Sequence, residues 1–172
     1  IDGNKKEFGG KVSTNTFGSK LFVEGPLLGN GKSSFVFSGK TSYLDKSSEI
    51  LYKEPILYFD EKGLPYSYTD LYGKFSLHGN NGSKINIFGF NFQDKVDYEG
   101  ISELNWASKG IGSEFILIPG NSPVLIEGNF AYSFYEIALD EEASNLRESR
   151  IDGFDMGFDF TYFQPKGKIK YG

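Results

Sequence analysis

Cysteine is absent from the 172 residues. That excludes a disulfide framework and any thiolate-ligated metal centre. It suits a chain that lives outside the reducing cytosol without needing staples. Histidine occurs once. With neither a second imidazole nor a thiol, no transition-metal site can be argued. His78 stands beside "GNNGS" without partners for acid–base work, and reads as a residue flanking a turn. No run of about 18 apolar residues occurs, so no transmembrane helix is expected, and no signal-peptide pattern is present. Lys and Arg total 18 against 23 Asp and Glu, a formal charge of −5. No basic cluster forms, which argues against a nucleic-acid partner. Gly110 and Gly112 precede no helix, so they do not make a phosphate loop. No catalytic constellation and no cofactor motif can be read. The expectation is a protein that is not an enzyme and carries no cofactor.

What the chain has instead is aromatics and glycine: 17 Phe, 11 Tyr and 22 Gly. Helical periodicity is nearly missing. Period-two runs follow one another, which is the pattern of strands with one apolar and one polar face. In "IDGFDMGFDFTYF", Phe154, Met156, Phe158, Phe160 and Tyr162 alternate with Asp155, Gly157, Asp159 and Thr161. Phe35 and Phe37 alternate with Ser34, Ser38 and Lys40. Leu71, Phe75 and Leu77 alternate with Asp70, Lys74 and Ser76. Phe130, Tyr132 and Phe134 alternate with Glu127, Asn129 and Ser133. Over 84–98 the parity is ambiguous, with Ile85 and Ile87 on one face and Phe88, Phe90 and Phe92 on the other. Over 101–119 it is poor, and a bulge at the glycines is expected there.

The connections add a second signal. "GNGK" (29–32), "NNGS" (80–83), "PGNS" (119–122) and "QPKG" (164–167) suit tight hairpin turns. Residues 44–65 and 138–150 read as long, charged, partly helix-permissive loops. Tight turns at one end and long loops at the other mark outer-membrane barrels, whereas a soluble sandwich mixes them. The runs reach about 10 residues, the length of a tilted membrane-crossing strand. The fold expected is all-β: an antiparallel up-and-down meander of about eight to nine long strands, part of a larger transmembrane β-barrel. Phe35, Phe37, Phe130, Tyr132, Phe134, Phe154, Phe158 and Phe160 are the expected lipid-facing residues. Lys40, Lys74, Glu127, Asp155 and Asp159 are the expected lumen-facing ones. Tyr52, Tyr58, Phe59 and Tyr66, in a charged loop, are candidates for gripping a substrate, although a loop folding back on its own aromatics or packing at the barrel rim is the better reading. Asp140, Glu141, Glu142 and Asp152 gather carboxylates for a calcium site, but their spacing fits no loop motif, and a solvated charged loop is the better reading.

Eight strands and the start of a ninth, "KIKYG", do not make the even number of a bacterial single-chain barrel. An unpaired apolar edge is a liability. The chain, which opens on "IDGNKKEF" without an initiator Met, therefore reads as one segment (1–172) of a larger barrel.

Three stretches carry a resemblance. Ser19, Lys20, Leu21, Glu24, Gly25 and Pro26 are followed by Lys32, Ser33, Ser34 and Phe35, then by Ser42, Tyr43, Leu44 and Asp45. This resembles the first barrel strands of Bacteroidetes-type TonB-dependent outer-membrane receptors, with Lys40 where that family usually has Arg. "YSYTDLYGKFSL" resembles the family's Tyr-x-Tyr-Asp-Leu-x-x-Lys strand. "IDGNKKEF" looks like the exit from a plug domain. The resemblance implies a bacterial outer-membrane location, lipid around the barrel, a plug domain inside it and energy-coupled nutrient uptake through TonB. It leaves room for a surface lipoprotein partner. The plug and the remaining strands lie outside this sequence. Two alternatives stay open: a non-transporting outer-membrane barrel or assembly component, and a soluble secreted glycan-binding β-domain.

Overall fold

The computed structural model describes residues 2–27, 31–51, 64–98, 100–141 and 145–172. Its elements are β1 (Gly9–Thr14), β2 (Gly18–Pro26), β3 (Ser34–Ser42), α1 (Leu44–Leu51), β4 (Tyr66–His78), β5 (Lys84–Tyr98), β6 (Ser102–Leu117), β7 (Val124–Glu141), β8 (Arg147–Gln164) and β9 (Gly167–Tyr171). The strands form one sheet in the order β1 to β9, each antiparallel to its sequence neighbours. This is an all-β meander of nine strands in an open sheet. Its edges are β1 and β9.

Turn chemistry fixes the register at one end. Gly31, Gly82 and Gly120 adopt positive φ values of 66°, 86° and 54°, which glycine reaches without steric cost. The Gly79 N–H donates to the Ser83 carbonyl at 2.8 Å, and the Ser122 N–H to the Pro119 carbonyl at 2.9 Å. From these turns the strands run far. β5 has 15 residues, β6 has 16, and β7 and β8 have 18 each. Strands of about 5–6 residues are usual in soluble sheets.

Three expectations need correction. The stretch 138–150 is mostly strand, not loop: β7 continues to Glu141 and β8 begins at Arg147. Arg147, Glu148, Ser149 and Arg150 are all exposed, so both faces of the strand meet water there and the polarity marks solvation, not a loop. Of the connections at that end, only 43–65 is long. No bulge interrupts β6, because every residue from Ser102 to Leu117 has one partner on β7. Tyr66 belongs to a strand, β4, and not to the loop before it.

Directly opposed residues on antiparallel strands share a face, so the register sorts the sheet into two surfaces. Neither is covered by a second layer among the described residues, and none of those residues is a buried apolar side chain. The most buried side chains are small and polar, Ser34 and Ser76.

Candidate functional site

One face carries a belt free of charge from edge to edge, apolar except for glycines and Ser113, which sits between Ile87 and Phe130. Across the strands the register aligns Val23 with Phe37, Ile111 with Tyr132, and Tyr132 with Phe154. The next row toward the turns aligns Phe35, Phe75 and Ile87, then Phe130 and Met156. Below lie Ile85, Phe115 and Phe158, then Ile126, Phe160 and Tyr171. From Gly10 on β1 to Tyr171 on β9 this belt holds no charged residue. Its side chains are open to the surroundings: Phe154 is 65% exposed, Ile111 61% and Met156 55%. Neighbouring rings still touch. Phe130 packs edge-on against Phe158 at 5.4 Å between centroids, and Phe115 lies 5.9 Å from Phe158. Charge returns along a row away from the turns, where Lys109 opposes Phe134 and Phe134 opposes Asp152. The Arg150 guanidinium there lies 4.5 Å above the Phe134 ring. On β8 the belt runs from Phe154 to Tyr162, matching the roughly 9–11 residues that a tilted strand needs to cross a bilayer. All eight expected lipid-facing residues lie on this face.

The reverse face is mixed. All five expected lumen-facing residues lie on it, in separate groups. Glu127 and Asp159 oppose each other, and Lys170 reaches them at 4.0 and 3.2 Å. Asp155 accepts a hydrogen bond from Asn129. Lys40 pairs with Asp70 at 3.5 Å. A groove of about 790 Å³ runs along this face beside Lys84, Asn86, Glu114, Glu127, Asn129 and Asp159. Opposed pairs of this kind suit a wet surface, where each contributes about 0–1 kcal/mol. Of the carboxylates weighed for calcium, Asp140 and Asp152 fall on the apolar-belt side beyond its edge. Glu141 falls on the other, hydrogen-bonded to Arg147. Glu142 lies outside the described residues.

An N-terminal arm crosses this mixed face at the tight-turn end. The Asp2 carboxylate accepts hydrogen bonds from Lys74 Nζ at 3.0 Å and Ser76 Oγ at 3.1 Å, and lies 3.2 Å from Lys84 Nζ. His78 Nε2 is 3.5 Å away, so this histidine lines the arm's seat and does more than flank a turn. Burial pushes the Asp2 carboxyl up, but the Lys74 and Lys84 ammonium groups and the Ser76 hydroxyl outweigh it and hold it well below the usual range. A Cβ added at Gly3 would meet the Phe35 carbonyl oxygen at 2.2 Å, so only glycine lets the arm lie this close. Two outcomes are expected from a spin label on Lys6→Cys, a unique thiol in a chain without cysteine. Asp2→Asn and Gly3→Ala should each sharpen its spectrum by freeing the arm. Because the folded Asp2 value lies below the ordinary 3.8, its contribution is complete above that pH. The unsubstituted arm should loosen only as pH falls further. A spectrum insensitive to both substitutions would contradict the docking.

Aromatics also populate the mixed face. The Phe88 and Phe90 rings lie over Gly112 and Gly110, where an added Cβ would come within 2.5 Å of each ring. The poor parity of β6 has this cause: its glycines make room for rings from β5. Toward the far end, Tyr66, Phe92, Asp94, Trp106, Ser108 and Tyr135 surround a cleft of about 320 Å³. Of the expected loop aromatics, Tyr66 is part of this wall. Tyr52, Tyr58 and Phe59 lie outside the described residues. Reading the sequence by segments passed over Phe92, Trp106 and Tyr135 as site residues, because only the strand register brings them together. A lone Trp in the chain was the available signal.

Comparison of the chain with protein families, with curated proteins and with solved structures gives no match.

Proposed function

We propose that this sheet is a sector of a transmembrane β-barrel in a bacterial outer membrane, with the belt against lipid and the mixed face toward a water-filled lumen. The observation that carries the reading is the charge-free belt spanning every strand, backed by a face that holds the ions. A contiguous exposed apolar surface larger than a few hundred Å² is unusual on a soluble monomer, whereas a barrel requires one outward. Tyr162 and Tyr171 near the turn end, with Tyr132 and Phe134 at the other margin, suit the two interfacial girdles.

Within that class, the Ser19–Pro26 and Lys32–Asp45 resemblance supports the barrel of a TonB-dependent receptor, and energy-coupled nutrient uptake as the parent activity. The arm seated on the mixed face supports a chain that arrives from inside the barrel, as it would from a plug. The gene decides between receptor and plain barrel. Plug-coding sequence upstream and about a dozen further strands downstream are expected for a 22-stranded, plugged transporter. Their absence would end the receptor reading and leave the barrel. Expression without detergent tests the barrel itself: a monodisperse, cooperatively unfolding soluble product would favour a secreted β-domain instead.

A further inference from the structure

The cleft at the far end of the mixed face carries a ligand chemistry of its own. Register builds it. Asp94 on β5 opposes Trp106 on β6, and Phe92 opposes Ser108, which opposes Tyr135 on β7. The small Ser108 leaves a floor between two rings. Phe92 is held by stacking on Phe90, with centroids 5.0 Å apart and planes at 24°. The Tyr66 hydroxyl donates to Asp94 Oδ1 at 3.2 Å, turning its ring along the cleft wall. Asp94 forms no ion pair among the described residues. Its sequence neighbour Lys95 lies on the opposite face with Asp97 and Glu103, and Lys40 is held by Asp70. The cleft therefore combines four aromatic walls with an uncompensated carboxylate. Ring faces are electronegative and attract cations most strongly when water is partly excluded. An anion would be repelled. A neutral sugar could stack and donate hydroxyls to the carboxylate, but would leave its charge unbalanced.

We propose that this cleft binds a small organic cation of the alkylammonium type, with its methyl or methylene groups on the rings and its charge toward Asp94. A volume near 320 Å³ is at the small end of ligand sites. The site stands on its own geometry; only its meaning as a capture point for imported cargo rests on the receptor reading.

Trp106 is the only tryptophan in the chain, so its emission reports on the cleft directly. The full chain, folded in octyl tetraoxyethylene micelles, would be titrated with tetramethylammonium chloride. Sodium chloride, sodium acetate and glucose serve as comparisons. A saturable emission change with tetramethylammonium alone is expected. Asp94→Asn should weaken it about tenfold or more, and Tyr135→Ala several-fold, with the strand circular-dichroism signal retained. No saturable response, an equal response to glucose, or undiminished binding by Asp94→Asn would overturn the proposal. Should either variant fail to fold, the selectivity of the unaltered chain between tetramethylammonium and glucose decides alone. A chain that enters bilayers but ignores the cation loses this inference only. One that binds the cation yet stays soluble without detergent loses the barrel reading only.

Discussion

Phe158→Arg should largely abolish assembly into lipid vesicles, while its neighbour Asp159→Asn should assemble almost as the unaltered chain does. Phe158 sits in the body of the belt, opposite Gly128 and against the rings of Phe115 and Phe130. An arginine at the bilayer midplane costs about 2–4 kcal/mol. Loss of the ring contacts adds about 0.5–1.5 kcal/mol for each pair. Together these are a large share of a typical folding stability of about 5–15 kcal/mol. Asp159 is on the other face, 3.2 Å from Lys170, and is 48% exposed. Removing its charge breaks a solvated pair of about 0–1 kcal/mol. The fraction of chain reaching a heat-modifiable, protease-resistant form in vesicles measures both. In water the order would reverse in significance, since an arginine on an exposed sheet face costs little. Equal tolerance of the two changes would contradict the assignment of faces.

Gly112→Val should destabilise the sheet by about 1–3 kcal/mol, as overpacking does, although valine is intrinsically the better strand former. A Cβ at this position meets the Phe88 ring at 2.5 Å and the Phe130 carbonyl oxygen at 3.1 Å. The ring can rotate away only by giving up its seat on β6. Phe88→Ala should then recover part of the loss in the double variant, because the two substitutions act on one contact. Urea midpoints of the four species in micelles give the coupling directly. A simple sum of the single effects would show that the ring does not depend on the glycine.

Much of this arrangement is legible in the sequence, and the reason is periodicity. A strand that meets two different surroundings must alternate, so the order of Phe154 to Tyr162 encodes its two faces outright. The same holds for Phe35 and Phe37, and for Phe130 to Phe134. Turn glycines such as Gly82 and Gly120 are legible because positive φ leaves few other choices. Where reading fails, both faces carry bulk. Phe88, Phe90 and Phe92 share the ionic side with Lys84 and Asn86, and alternation alone does not rank an isoleucine row against a phenylalanine row. The glycines of β6 then look like a defect, although they are the complement of rings on the adjacent strand. The charged stretch 138–150 misleads differently: beyond the belt both faces of a hairpin meet water, and strand alternation disappears while the ladder continues. The cleft is hardest to see, since its residues are scattered from Tyr66 to Tyr135 and meet only through β4 to β7 pairing.

What the belt touches, lipid or water, is directly measurable. Single cysteines placed in turn from 153 to 162, in a chain with no other thiol, can carry a nitroxide whose collisions with oxygen and with a water-soluble nickel chelate are measured in vesicles. Oxygen, which concentrates in hydrocarbon, should dominate at positions 154, 156, 158 and 160. The nickel chelate should dominate at 155, 157 and 159. A flat profile, or nickel access at every position, would contradict a lipid-facing belt.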